Sequence, residues 1–269
     1  MHITVNGHRS YCYTGGKAFD AAKPTVVFIH GVLNDHSVWA LQSRYFANHG
    51  WNVLAVDLPG HCRSEGDAPE SVEQAADFIA ALLDAAGVAR AALVGHSWGS
   101  LIALETAGRL RDRVTHLVLV GTAYPMKVSP ALIDSALNTP EKALRMVNVF
   151  SRSTLASPSG AGFWAYGAGM ALGRRVLRSN PAVNVFHRGF VACDTYAGGE
   201  AAMAQITCPV LFALGAQDQM THPKGAQGLI AQARNAGKSV QVADLPVGHN
   251  QMTEAPDPTL FAIRDFLGA

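Results

Sequence analysis

The sequence predicts an α/β fold, a mostly parallel and doubly wound sheet that carries one helical insertion. Three observations predict it. Continuous β-branched runs alternate with amphipathic stretches along most of the chain. Polar, chemically capable residues recur where those runs end, the edge at which such sheets hold ligands. The alternation stops at Thr122 and resumes only at Pro209.

The elements follow in order. Residues 2–5 and 11–14 flank Asn6-Gly7, a hairpin signal. Residues 25–29 (Thr-Val-Val-Phe-Ile) lack alternation, as a strand buried on both faces should. His30-Gly31-Val32-Leu33-Asn34-Asp35 follows, then a polar and aromatic segment to Trp39 and a helix to about Asn48, closed by Gly50. Residues 52–56 are the next buried strand. The turn cluster Asp57-Leu58-Pro59-Gly60-His61-Cys62-Arg63-Ser64 ends it. Ser71 caps a helix to about Ala86, whose apolar positions Val72, Ala75, Ala76, Ile79, Leu82 and Leu83 share one face. Residues 91–94 form a strand, a helix-forming run spans 101–107, and residues 114–120 return to strand.

From 123 to 204 no buried strand is expected. Helices are expected near 130–137, 140–150, 160–177 and 181–192, a stretch too long for a plain connection. It reads as a cap over the strand ends, inserted into a core made of 1–122 and 205–269. The core resumes with a strand at 209–215, a helix at 224–236, a strand at 239–245 and a closing helix at 258–267.

Composition narrows the function. Apolar residues make up 49% and charged residues 15%, enough for a core and too apolar for disorder. The net charge is +1 with no basic run, so no nucleic-acid partner is expected. No run of apolar residues is long enough for a membrane span. The N-terminus lacks the apolar core of an export signal. Cys12, Cys62, Cys193 and Cys208 form no Cys-x-x-Cys pair, which suits free buried thiols. The expectation is a cytoplasmic protein acting on a small-molecule substrate, with no feature that specifies an oligomeric state. No metal-ligand pattern stands out among His30, His36, His61 and Asp57, and no cofactor motif is present.

The chemistry centres on Gly95-His96-Ser97-Trp98-Gly99, placed between an apolar run and a helix. That context marks a nucleophile elbow, whose glycines leave room for a tight strand-to-helix turn. A serine needs a base, and the base an orienting acid. His249 follows the last strand in a Gly248-His249-Asn250 loop, and Asp218 lies just past the preceding strand. Among other acids, Asp244 sits inside a strand and Asp194 inside the insertion. The position after the 114–120 strand offers Thr122 and Ala123 but no carboxylate.

Taken together, the chain resembles the α/β-hydrolase-fold serine hydrolases of the capped, esterase-like kind. The resemblance rests on His30-Gly31-Val32, on Asp57-Leu58-Pro59-Gly60-His61-x-Arg63-Ser64, on the elbow, and on Asp218 with His249. It implies Ser97 as nucleophile, His249 as general base and then acid, and Asp218 as the orienting carboxylate. The backbone N–H groups of Val32 and Trp98 would form the oxyanion hole. Leu33, Phe150, Trp164, Phe186 and Phe190 are the expected pocket residues. His30 and the 57–64 turn are read as structural, Cys62 as inert, and Arg174, Arg175 and Arg178 as a solvated face. Gly160, Gly162, Gly167, Gly169 and Gly173 read as allowing close helix packing or lid movement, since no strand precedes them and no Lys-Ser/Thr follows.

Ester hydrolysis without a cofactor is the leading expectation. Lactone or amide hydrolysis, aminopeptidase action, carbon–carbon cleavage, acyl transfer and perhydrolysis use the same apparatus, and a slow-turnover sensor would also keep it. Serine at the elbow argues against the dehalogenase and epoxide hydrolase branches, which use aspartate there. Val32-Leu33-Asn34-Asp35 departs from the glycines and proline of the proline iminopeptidases. His96 and Asn250 depart from the asparagine and tryptophan usual in the carbon–carbon hydrolases.

Overall fold

The structure, a computed structural model, describes residues 1–20, 22–153 and 165–269. Its strands are β1 (His2–Val5), β2 (His8–Tyr13), β3 (Thr25–Ile29), β4 (Asn52–Val56), β5 (Ala91–His96), β6 (Val114–Val120), β7 (Val210–Gly215) and β8 (Val240–Leu245). They form one sheet in the order β1-β2-β4-β3-β5-β6-β7-β8. β1 pairs antiparallel with β2, and β2 with β4. From β4 to β8 every neighbour runs parallel.

The helices are α1 (Ala40–Asn48), α2 (Val72–Ala85), α3 (Trp98–Leu110), α4 (Pro130–Asn138), α5 (Pro140–Phe150), α6 (Ala165–Ser179), α7 (Val185–Thr195), α8 (Gly199–Gln205), α9 (Gln227–Asn235), α10 (Gln251–Glu254) and α11 (Pro256–Leu267). Strands β3, β4, β5 and β7 are buried at every residue. Their alternate side chains separate into two cores. Val27, Ile29, Leu93, Leu119 and Phe212 pack with α2, α3 and α9. Val26, Phe28, Val94, Val118 and Leu211 pack with α1 and α11. The Ser71 hydroxyl caps α2 by accepting from Gln74 N at 3.2 Å.

Between β6 and β7 the chain turns helical. Helices α4 to α7 close around Leu132, Ala136, Leu144, Met170, Val176, Phe186 and Phe190, and Leu33 of the β3 loop joins that cluster. The helix expected at 160–177 is described from Ala165, and residues 160–164 lie outside the described residues. One element departs from the expected 123–204 cap. Helix α8 packs on α3 so closely that a Cβ on Gly108 would fall 2.8 Å from Ala202 Cα, and Ala202 and Met203 belong to the main core. At seven residues, α8 is too short to announce itself by periodicity.

The insertion is joined to the sheet edge by polar contacts. Asn180 Nδ2 donates to Gly60 O at 3.0 Å, and Cys62 N donates to Ser179 Oγ at 2.9 Å. Among the described residues no helix is long and apolar enough to cross a membrane. Cys12, Cys193 and Cys208 are buried free thiols, and Cys62 is a half-buried one.

Candidate active site

Ser97 stands between β5 and α3 at φ 55° and ψ −121°. A non-glycine residue there carries strain, which persists only where its surroundings dictate it. The surroundings do. A Cβ on Gly95 would come within 2.0 Å of Gly99 O, and one on Gly99 within 2.3 Å of Ile29 O. Ser97 N donates to Val120 O at 2.9 Å, which pins the turn to β6. The Ser100 hydroxyl lies 2.5 Å from Ser97 O and 2.8 Å from Thr122 Oγ1, so Thr122 supports the elbow.

Asp218 follows β7 and is 1% exposed. Its Oδ1 accepts from the N–H groups of Met220 and Thr221, each at 2.8 Å. Its Oδ2 lies 2.8 Å from Thr221 Oγ1 and 2.8 Å from His249 Nδ1. Burial works against the ionised carboxyl. The His249 ring and the Thr221 donors outweigh it and hold Asp218 below the usual carboxylate range. With Nδ1 engaged, Nε2 is the basic atom that the His249 ring has left to offer.

Two supports of this pair left little trace in the sequence. Thr221 Oγ1 reaches Asp218, Gly121 O at 2.9 Å and His249 Nδ1 at 3.1 Å. The signal that could have found it is an aspartate followed three residues on by a threonine, the pattern of an Asx turn. His96 Nε2 donates to His249 O at 2.9 Å, and burial drives its pKa down to about 3, so the supporting imidazole is neutral.

Gly31 lies against the elbow, where an added Cβ would stand 3.1 Å from Ser97 Cβ. Val32 therefore begins the loop beside Ser97. Its N–H donates to no acceptor among the described residues. Trp98 is the first residue of α3, a position whose N–H has no partner within its helix. His30 is a structural residue: Nδ1 donates to Gly31 O at 2.9 Å and Nε2 accepts from Leu58 N at 3.2 Å.

A family model for the alpha/beta hydrolase fold matches residues 24–256. The chain belongs to the α/β-hydrolase fold family. Among its curated relatives, epoxide hydrolase 3 of Xenopus tropicalis is 32% identical over 136 residues, which is 49% of this chain and 35% of that one. Lipase LipV of Mycobacterium tuberculosis is 32% identical over 118 residues, 43% of this chain and 44% of that one. The matched stretches thus span less than half of either relative. A solved enol-lactonase from Burkholderia xenovorans superimposes over 100% of both chains, with a TM-score of 0.80 at 22% identity. At that identity the likeness is one of fold.

In this α/β-hydrolase-fold chain, Ser97, His96 and His249 open on a cavity of about 560 Å³ between the strand ends and the insertion. Of the residues named for the pocket from the sequence, Leu33 and Phe190 line this cavity. Phe186 does not. It is fully buried among the insertion's own side chains, 4.9 Å from Phe190 between ring centroids. Phe150 ends α5 at 43% exposure, away from the cavity wall. Trp164 lies outside the described residues. Asn148, Arg152 and Met220 line the cavity without having been expected there.

Two of the three arginines of α6 are held by acids, and the third, Arg178, donates from Nε to Arg174 O at 3.1 Å. Arg174 pairs with Glu141, and Arg175 donates to Asp35 Oδ2 from Nε at 3.1 Å and from Nη2 at 2.6 Å. Cys62 Sγ sits 3.3 Å from the same oxygen. Burial, with Asp35 alongside, pushes its thiol up to about 12, so it carries no thiolate at neutral pH. The two other acids weighed from the sequence do not line the cavity: Asp194 Oδ1 accepts from Val128 N at 3.0 Å, and Asp244 lies exposed on β8. Asp35, His36 and Asp57 bring donor atoms within 4.8 Å of one another, yet Asp35 is committed to Arg175 and Asp57 to His36 Nδ1 at 2.8 Å.

Proposed function

We propose that the protein is a serine hydrolase that cleaves a carboxylic ester, or a closely related acyl bond, through an acyl-enzyme. The observation that carries this reading is Ser97 on a positive-φ turn, lining one cavity with His249, whose Nδ1 is hydrogen-bonded to Asp218.

A serine hydroxyl is a poor nucleophile near neutral pH, so the proton must leave as the bond forms. Ser97 Oγ adds to the substrate carbonyl while His249 Nε2 takes its proton. Asp218 holds the Nδ1–H tautomer and stabilises the imidazolium. The carbonyl oxygen, now negative, is received by the N–H groups of Val32 and Trp98. The positive end of α3 adds to that field. Imidazolium then protonates the leaving oxygen, which departs and leaves the acyl group on Ser97. A water deprotonated by His249 attacks this ester, and collapse of the second tetrahedral species frees the acid and restores Ser97. No cofactor enters this scheme.

The insertion acts as the cap that sets the acyl and leaving groups, since Leu144, Phe190 and Asn148 wall the cavity above Ser97. Lactone opening is the same reaction with a tethered leaving group. The test is a panel of esters of graded acyl length, with amide and lactone members, run on wild type and on Ser97→Ala. Multiple turnover by wild type and loss of turnover to near background in a folded Ser97→Ala protein are the expected results. Near-wild-type turnover by that variant removes the proposal, and labelling of Ser97 by a fluorophosphonate probe without turnover of the panel favours a sensor.

A further inference from the structure

Two arginines line the cavity among the described residues, and their circumstances differ. Arg175 is spoken for by Asp35, and its Nη2 also donates to Ser37 Oγ at 3.0 Å. Arg152 has no carboxylate within ion-pair distance among the described residues. Among the described residues its guanidinium makes one long contact, from Nη2 to Asn148 Oδ1 at 3.5 Å, and lies 5.6 Å from the Tyr166 ring centroid. The stretch 154–164 that follows contains no Asp or Glu. Arg152 is half-buried, and that burial lowers its pKa from the ordinary value. A cation drawn partly out of water with no carboxylate bonded to it is unfavourable until something supplies one.

The backbone holds Arg152 beside the proposed catalytic histidine. Ser151 O accepts from His249 N at 2.9 Å and from Asn250 N at 3.1 Å. Glu254 Oε2 accepts from Ser153 N at 2.9 Å and from Gly248 N at 3.2 Å. Arg152 Cα lies 3.0 Å from where a Cβ on Gly248 would stand. Residues 151–153 are thus laced to the loop that carries His249. Glu254 is the carboxylate among the described cavity residues. It acts on Arg152 through space but makes no ion pair with it: Oε2 is occupied by these two backbone donors, and Oε1 is buried without a hydrogen-bond partner among the described residues.

We propose that Arg152 is a specificity-determining residue that binds a carboxylate carried by the substrate, so that the preferred ester or lactone is a monoanion. The inference rests on the acyl-enzyme reading above and names its substrate class. A planar guanidinium matches a carboxylate with two parallel hydrogen bonds. A single uncommitted arginine balances one negative charge, which suits a carboxylate better than a dianionic phosphate. The apolar wall of Leu33, Leu144, Leu172, Phe190 and Met220 takes the hydrocarbon between that carboxylate and the scissile carbonyl.

The test compares kcat/KM for matched anionic and neutral esters. One arm places the carboxylate in the acyl half: mono-4-nitrophenyl esters of the diacids from succinate to adipate, against 4-nitrophenyl pentanoate. The other arm places it in the leaving group: 4-carboxyphenyl pentanoate against 4-acetylphenyl pentanoate. Wild type should prefer the anionic member of one arm by about tenfold or more, and Arg152→Gln should lower that ratio about ten- to hundredfold. Arg152→Lys, which keeps the charge and loses the fork, should fall between. No anionic preference in either arm, or a ratio unchanged in Arg152→Gln, overturns the proposal.

A binding measurement separates this idea from the catalytic one. Monomethyl glutarate, a monoanion, titrated calorimetrically into Ser97→Ala should bind, and the Ser97→Ala/Arg152→Gln protein should bind it at least tenfold more weakly. Equal binding by the two overturns the anion site. Arg152-dependent binding in a protein that cleaves no ester would leave the anion site standing while the acyl-enzyme reading fails.

Discussion

Arg175, on α6 of the insertion, donates two hydrogen bonds to the buried carboxylate of Asp35, in the loop that begins at Val32. The same carboxylate accepts from Ser37 N at 2.9 Å and from Ser37 Oγ at 2.6 Å, capping the short turn that leads into α1. Burial opposes the charge on Asp35, but the Ser37 bonds and Arg175 outweigh it and hold its pKa at about 2. One ionised group therefore ties the roof of the cavity to the loop that carries a proposed oxyanion donor.

Arg175→Ala should loosen that tie. The Arg175 side chain is 55% exposed, so solvent screening limits the loss to about 1 kcal/mol of stability. Asp35→Ala should cost more, about 2–3 kcal/mol, because it also removes the cap over Ser37. Urea unfolding of both single variants and the double variant should give a coupling near 1 kcal/mol. Because this anchor holds the Val32 loop, kcat in Asp35→Ala should fall with stability, and an unchanged kcat would mean that the loop keeps its place without Asp35.

Thr221→Val tests the support of the proposed base. Valine keeps the shape and removes the hydroxyl that reaches Asp218 Oδ2, Gly121 O and His249 Nδ1. Asp218 retains both backbone donors, so the expected loss in kcat/KM is about tenfold. Asp218→Asn, which permits the wrong tautomer, should lose on the order of 10³–10⁴ in kcat. Steady-state kinetics on the two variants decide the matter; equal losses would mean that Thr221 is as central as the carboxylate.

The sheet and the elbow were legible in the sequence because their signals are local. Residues 25–29 and 52–56 can hardly be anything but doubly buried strands, and Gly95 and Gly99 flank a turn that tolerates no Cβ. Asp218 and His249 were legible because each ends such a strand or its following loop. The cavity wall was not. Phe186 and Phe190 lie four apart on α7 and look alike in sequence, yet one fills the insertion's core and the other reaches the cavity. Which does which depends on how α4 and α5 pack across them, a tertiary fact without a local signature. Arg152 was missed for a related reason: its place is fixed by Glu254 and His249, about a hundred residues away.

Gly169→Ala tests whether the glycines of α6 serve packing. A Cβ there would stand 1.9 Å from Asn148 Oδ1, and Asn148 is buried with its Nδ2 donating to Leu144 O at 3.0 Å. Asn148 must rotate and surrender that bond, at a cost of about 1–3 kcal/mol. Gly228→Ala is the control. Its Cβ would meet nothing within 4 Å on helix α9, so a gain of up to about 1 kcal/mol is expected. Thermal unfolding of the pair should move in opposite directions; a neutral Gly169→Ala would show that α6 slides freely over α5.

Stability should fall steeply in mild acid, and His96 should account for a defined share of the slope. Burial lowers the pKa of His61 to about 4 and of His96 to about 3. In the unfolded chain both titrate near 6.5. Between about pH 6.5 and 4 the unfolded state binds protons that the native state refuses, so unfolding becomes easier as pH drops. Each such histidine contributes about 1.4 kcal/mol per pH unit over this window. Asp218 acts later: its folded pKa lies below 3.8, so its contribution is lost only as pH falls beneath that value. His96→Asn keeps a donor for His249 O and removes the titrating ring. Its unfolding free energy, measured in urea from pH 7 to 4.5, should decline less steeply than wild type by about one histidine's worth. Parallel slopes for the two proteins would mean that His96 is protonated in the native state and that the neutral imidazole beneath His249 is wrong.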